Sequence, residues 1–132
     1  MDTTILVVDD DPTIRTLITR VLTRVGYQVQ EADDGLSALE QIAVARPALI
    51  LTDLMMPRMK GDALVAQLMQ APDPIRCILM SAFHTDLPAV TVPFLTKPFA
   101  IPDLLRLVSE TLPQVSRLLR DEEAHPAAYS PR

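Results

Sequence analysis

The sequence predicts an α/β fold in which a parallel β-sheet is covered by helices on both faces. Short apolar runs without polar alternation recur along the chain: Ile5-Leu6-Val7-Val8, Leu49-Ile50-Leu51, Ile78-Leu79-Met80 and Val92-Pro93-Phe94-Leu95. Such runs mark strands buried on both faces. Between them lie segments with helical apolar spacing, so strand and helix alternate. Each run also leads into polar residues, in turn Asp9-Asp10, Thr52-Asp53, Ser81 and Thr96-Lys97. Parallel strands point the same way, so these residues gather along the carboxyl edge of the sheet, where open α/β sheets bind ligands.

The elements follow in order. The first strand covers residues 4–9, and Asp11 then serves as N-cap with Pro12 at the first helical position. Ile14, Leu17, Ile18, Val21, Leu22 and Val25 form a buried helical stripe that Gly26 ends in a left-handed stop. The second strand spans 27–32. Asp33-Asp34 cap a helix over 36–45 that buries Leu36, Leu39, Ile42 and Ala43 before Pro47 closes it. The third strand, 48–52, delivers Asp53. A loop over 54–61 precedes a helix over 62–70, which Pro72 and Pro74 bar from continuing. Strands over 76–80 and 92–96 follow, then a helix over 102–112 with Leu104, Leu105, Val108 and Leu112 inward.

One segment breaks the alternation. Fifteen residues, 82–96, separate Ser81 from Lys97, and they include Pro88 and Pro93. A full helix with two loops and a strand hardly fits, so 83–91 is expected to be a loop with at most one helical turn. Beyond Pro113, residues 114–123 have weak helical periodicity, and the Pro/Ala/Ser-rich residues 124–132 are expected to be disordered.

Composition narrows the function. The chain has 132 residues, 48% hydrophobic and 22% charged, which indicates one globular domain. The net charge is −5 and the chain's two lysines, Lys60 and Lys97, sit among ten scattered arginines. No basic footprint for nucleic acid exists. No apolar stretch approaches the ~20 residues of a membrane span, and the acidic start Met1-Asp2-Thr3-Thr4 is not expected to be a signal peptide. Cys77, the one cysteine, reads as a buried small hydrophobe. His84 and His125 are too far apart for a metal spacing. A cytoplasmic location is expected.

Each candidate site residue has a bland reading alone: an acidic turn, a strand-end hydroxyl, a surface lysine. Their convergence is what gives them meaning. Carboxylates about 4 Å apart repel by roughly 4 kcal/mol per pair at an effective dielectric of 20. A cluster of Asp9, Asp10 and Asp53 therefore needs a counter-ion, and Mg²⁺, a hard cation with oxygen ligands, suits it. With Ser81 and Lys97 alongside, the set suits a phosphoryl acceptor and a phosphoryl clamp.

In five ordered motifs the chain resembles the receiver domain of two-component response regulators. They are Ile5-Leu6-Val7-Val8-Asp9-Asp10-Asp11-Pro12, Asp53, Met56-Pro57-x-Met59-x-Gly61, Ser81-Ala82 and Lys97-Pro98-Phe99, and the likeness covers about 4–112. The resemblance implies a flavodoxin-like doubly wound five-stranded parallel sheet of order 2-1-3-4-5. It implies a receiver domain over 1–112 and a tail over 113–132. It makes Asp53 the phosphoacceptor, with Asp10, Asp53 and the Met55 carbonyl as Mg²⁺ ligands and Asp9 acting largely through water. Ser81 would contact the phosphoryl group, Lys97 would pair with it, and Phe94 would be the switching aromatic. The Lys97–Pro98 peptide would be cis.

The segment between Ser81 and Lys97 is shorter than is usual in that family, so the fourth helix is expected to be reduced or absent, as in receivers attached to hybrid sensor kinases. No output domain is expected to follow, so a response would pass through a partner. The implied partners are a sensor histidine kinase or phosphotransfer protein, a downstream protein, and a second copy of the chain as a candidate dimer mate. The chain would catalyse its own phosphorylation and slow dephosphorylation, and act on no other substrate. Slow decay is expected because Met55 and Phe83, two residues after Asp53 and Ser81, cannot hold an attacking water by hydrogen bonds.

Two other classes remain open at this level. A receiver-like interaction module would fail to label with acetyl phosphate or a kinase. A Mg²⁺-dependent phosphohydrolase would turn over an exogenous phosphoester, although such enzymes usually carry an acid where this chain has Met55.

Overall fold

The fold, a computed structural model, is described for residues 4–82 and 92–112. Five parallel strands form one sheet: β1 (Thr4–Val8), β2 (Gln28–Ala32), β3 (Leu49–Asp53), β4 (Arg76–Ser81) and β5 (Phe94–Thr96), in the order β2-β1-β3-β4-β5. Four helices occur among the described residues: α1 (Pro12–Arg24), α2 (Gly35–Val44), α3 (Gly61–Met69) and α4 (Ile101–Thr111). The reading of 83–91 as a loop and the expectations for 113–132 lie outside the described residues.

Successive side chains along a strand point to opposite faces, and the core divides accordingly. Leu6, Val8, Ile50, Cys77 and Leu79 pack with Ala38 of α2 and with Leu64, Val65 and Leu68 of α3. Ile5, Val7, Leu49, Leu51, Ile78, Met80 and Leu95 pack with Ile18 and Leu22 of α1 and with Leu104 and Val108 of α4. The three inner strands are apolar on both faces because helices cover both, which explains the missing alternation.

Local signals set the element ends. Asp11 caps α1 by accepting the Thr13 amide at 2.9 Å, with Pro12 behind it. Asp34 caps α2 through the Ser37 amide at 2.8 Å. Gly26, at φ +107°, takes the left-handed turn into β2.

The expected buried stripes are wider than the observed ones. Leu17 and Val25 are exposed by 42% and 52%, and Leu36 by 43%; Ala43 is exposed as well. Among the described residues no second helix covers these flanks. Val25 is the C-cap of α1, where the helical phase ends, and α2 fully buries Gly35 and Ala38, with Leu39 and Ile42 partly buried against the same core. Strand β5 begins at Phe94, two residues later than expected. Pro93 accepts the Leu79 amide on its carbonyl at 2.9 Å, but it has no N–H to extend the ladder.

Candidate phosphoacceptor and metal site

The carboxyl ends of β1, β3, β4 and β5 bring the site together. Leucine and isoleucine hold β3 between its neighbours, in register with Val8 opposite Thr52 and Met80 opposite Asp53. Asp53 ends the strand in the phase of Leu49 and Leu51, which face α1 and α4. It is 8% exposed. The Leu54 amide donates to the Met80 carbonyl at 2.8 Å, so the backbone after Asp53 stays tied to β4.

Asp9, Asp10 and Asp53 each place one carboxylate oxygen within 4.8 Å of the others. These residues could hold a metal ion. Three hard oxygen donors with one lysine between them leave an excess of negative charge, which fits a hard cation. The electrostatics agree. Burial pushes the Asp53 carboxyl up from 3.8 to about 6; Lys97 works against this, while Asp9 and Asp10 add to it.

Lys97 spans the two buried carboxylates, 2.8 Å from Asp9 and 3.1 Å from Asp53. Burial alone would lower its pKa, but its hydrogen bond to Asp9 and the charges of Asp53 and Asp9 outweigh this and raise it. The lysine is therefore a fixed cation. Asp9 is fully buried and held from several sides: its carboxylate accepts the Asp11 amide at 2.9 Å and the Lys97 ammonium, and its amide donates to Ala32 at 3.1 Å. Asp10, by contrast, is exposed.

Ser81 ends β4, 2% exposed, and its carbonyl accepts the Lys97 amide at 2.9 Å. In register, Leu79 faces Phe94 and Ser81 faces Thr96, so Ser81 and Phe94 lie on one face of the sheet. Phe94 and Met55 are half-buried against the α2/α3 core. The Lys97–Pro98 peptide is cis, as the resemblance implies.

Gly61 opens α3 directly behind the site. Its amide donates to the Leu54 carbonyl at 2.8 Å, and a β-carbon there would overlap the Asp53 carbonyl oxygen and crowd Leu54. Gly61→Ala should therefore destabilise the fold by about 1–3 kcal/mol and displace Asp53. Chemical denaturation checks this; an unchanged midpoint would show that the loop yields without strain.

Sequence reasoning missed the pairings of three basic residues. Arg58, at φ +69° in the loop after β3, pairs with the buried Asp34 at the α2 N-terminus. Arg15 of α1 donates to the Asp9 carbonyl at 2.6 Å and pairs with Glu31 of β2 at 3.0 Å. The third is the Asp9–Lys97 pair. Only the position of Arg15, one turn into the helix that follows Asp9, hinted at any of these. Cys77 is buried and its thiol is pushed up to about 12, as fits an inert core residue.

Among the described residues no helix is long and apolar enough to cross a membrane. The sequence profile of the response regulator receiver domain matches residues 5–109. The response regulator MprA of Mycobacterium ulcerans is 37% identical over 130 residues, covering 94% of this chain and 55% of that protein. MprA of Mycobacterium bovis is 38% identical over 111 residues, covering 80% and 48%. The chain thus spans about half the length of the curated relatives it matches. Among solved structures, chemotaxis protein CheY4 of Vibrio cholerae aligns at TM-score 0.75 and 29% identity, over 85% of this chain and all of that one. Response regulator TrrA of Thermotoga maritima, solved in complex with Mg²⁺-BeF, aligns at TM-score 0.76 and 28% identity, with the same coverage. With its flavodoxin-like sheet order and its acidic cluster at the strand ends, this chain belongs to the family of response regulator receiver domains.

Proposed function

We propose that this chain is a phosphorylation-dependent switch that accepts a phosphoryl group on Asp53 from a histidine kinase or a phosphotransfer protein. The observation that carries this reading is the setting of Asp53: a buried carboxylate at a strand end, 3.1 Å from a lysine and within 4.8 Å of two further carboxylates. An Asp53 oxygen forms the new O–P bond as the donor's N–P bond breaks, and the donor imidazole keeps the electron pair. Lys97 supplies a fixed positive charge beside the incoming phosphoryl oxygens. Asp10, Asp53 and the Met55 carbonyl would hold Mg²⁺, with Asp9 contributing through water and through its grip on Lys97. When bound, Mg²⁺ would supply positive charge that offsets the carboxylates and the incoming phosphoryl group; the Mg²⁺-BeF complex of TrrA supports this choice of cation.

Phosphorylation adds about −1.5 to −2 charge beside the Ser81 hydroxyl. Ser81 turning toward it frees space on the face it shares with Phe94, and an inward Phe94 then becomes the favoured packing. This is a population shift between two arrangements. The signal passes through protein contacts to a downstream partner or a second copy of the chain. Residues 1–112 form the receiver unit, residues 113–132 its tail, and the setting is the cytoplasm. The chain modifies itself and has no separate substrate.

Acetyl phosphate with Mg²⁺ should label the wild type and leave Asp53→Asn unlabelled, read by intact mass. The label should decay slowly, and faster once Met55→Asn and Phe83→Glu are combined. An unlabelled wild type would favour a receiver-like interaction module instead. A lifetime of seconds, not shortened in the double variant, would overturn the account of slow decay through Met55 and Phe83.

A further inference from the structure

The search outside the carboxylate cluster leads to the first turns of α1. There Arg15 makes two bonds with one planar group: Nη1 donates to the Asp9 backbone carbonyl at 2.6 Å, and Nε pairs with Glu31 at 3.0 Å. Glu31 is itself held, since its carbonyl accepts the Gln41 side-chain amide of α2 at 2.7 Å. The Arg15 side chain is 19% exposed and the Glu31 side chain 38%. Few surface arginines are so constrained, and this one ends on the backbone of the metal site.

The bonded carbonyl belongs to the peptide unit that joins Asp9 to Asp10. Peptide units are planar, so fixing one carbonyl fixes the orientation of the whole unit and the position of the next α-carbon. The two residues it joins differ sharply. Asp9 is buried and anchored through both its carboxylate and its amide. Asp10 is exposed, and its carboxylate lies within 4.8 Å of the other two through its backbone placement. The neighbouring Asp9 amide is tied to Ala32, but that bond acts on the far side of Asp9. Toward Asp10 two bonds act: the Asp11 amide on the Asp9 carboxylate at 2.9 Å, which closes the turn over Asp10, and the Arg15 bond, which holds the Asp9–Asp10 peptide unit itself.

We infer that Arg15, pinned by Glu31, is a positioning residue for the metal site: it orients the Asp9–Asp10 peptide so that the exposed Asp10 carboxylate faces Asp53. Arg15 touches neither phosphoryl group nor metal in this account and acts through Asp10. The inference rests on the reading of Asp9, Asp10 and Asp53 as a Mg²⁺ site. Ligand-orienting partners of this kind typically change metal affinity about 10–100-fold when removed.

Charge alone predicts the reverse. Arg15 is a cation close to the cluster, and deleting a cation strengthens the binding of another one. The sign of the effect therefore separates positioning from simple electrostatics.

The experiment is Mg²⁺ titration of the full chain by calorimetry, without any phosphodonor. Arg15→Met should weaken Mg²⁺ binding about tenfold, and Arg15→Lys, which keeps the charge but not the fork, should fall between it and wild type. Arg20→Met, the same charge loss on the exposed side of α1, should leave binding unchanged or slightly tighter. Arg15→Met that binds Mg²⁺ as tightly as wild type or tighter, or Arg15→Lys that matches wild type where Arg15→Met does not fold, overturns the inference alone, provided Asp10→Asn weakens binding. A wild type that binds no Mg²⁺ removes the metal-site reading, and this inference with it.

Discussion

Metal-free Asp53→Asn should be more stable than the wild type by roughly 3 kcal/mol at pH 7.5, and the advantage should vanish near pH 4. In the fold, the Asp53 carboxyl sits at about 6 instead of 3.8, because burial and then Asp9 and Asp10 oppose its ionisation more than Lys97 favours it. The folded state thus binds the proton more tightly than the unfolded one. Below about pH 4 both states are protonated and the favourable contribution is fully present. As the pH rises through about 6 the folded carboxyl ionises and that contribution is lost. Asparagine carries no charge, so its variant escapes the loss. Mg²⁺ at several times its dissociation constant should stabilise the wild type by about 1–2 kcal/mol by mass action, and Asp53→Asn by less. Urea midpoints at pH 4, 5.5 and 7.5 test this. An advantage independent of pH, or a variant less stable than wild type at pH 7.5, would contradict the electrostatic account.

Lys97→Met should do the opposite and cost about 3–5 kcal/mol, the usual penalty for leaving a buried charge without its partner. Asp9 bears most of it. Its side chain is 1% exposed and its pairing with Lys97, at 2.8 Å, is closer than that of Asp53 at 3.1 Å. The loss should shrink in the double variant with Asp53→Asn, since one of the two stranded carboxylates is then gone, and the shortfall from additivity measures the coupling. Mg²⁺ should restore part of the stability. Equilibrium denaturation of the four proteins decides the matter. A loss below about 1 kcal/mol would mean that water reaches Asp9 far more readily than its burial implies.

These opposite signs follow from one arrangement. The site holds more negative charge than its lysine can balance, so removing a carboxylate relieves the fold and removing the lysine strains it. A protein of this size has a stability of about 5–15 kcal/mol, and a cluster with effects of this size is a substantial claim on it. The apolar strands on both sides hold the cluster in place.

Much of this could be read from the chain itself. The unbroken apolar runs determined which segments are strands and that helices cover both faces, because buried parallel strands have no solvent side to alternate toward. Asp11-Pro12, Asp34 and Gly26 set element ends through local hydrogen bonding and backbone freedom. The strand-end polar residues marked the edge where the site lies, since a parallel sheet aligns those ends.

What the tertiary structure alone decided is who pairs with whom. That Lys97 grips Asp9 more closely than Asp53 depends on the β4–β5 register, with Ser81 opposite Thr96. The burial of Leu17 and Leu36 depended on whether a second helix lies beside them, which periodicity within one helix does not encode. Arg15 and Arg58 look like ordinary charged residues in sequence, and their partners Asp9, Glu31 and Asp34 lie on other elements. Strand and helix are written in neighbouring residues. Ion pairs, by contrast, join side chains that only packing brings within reach.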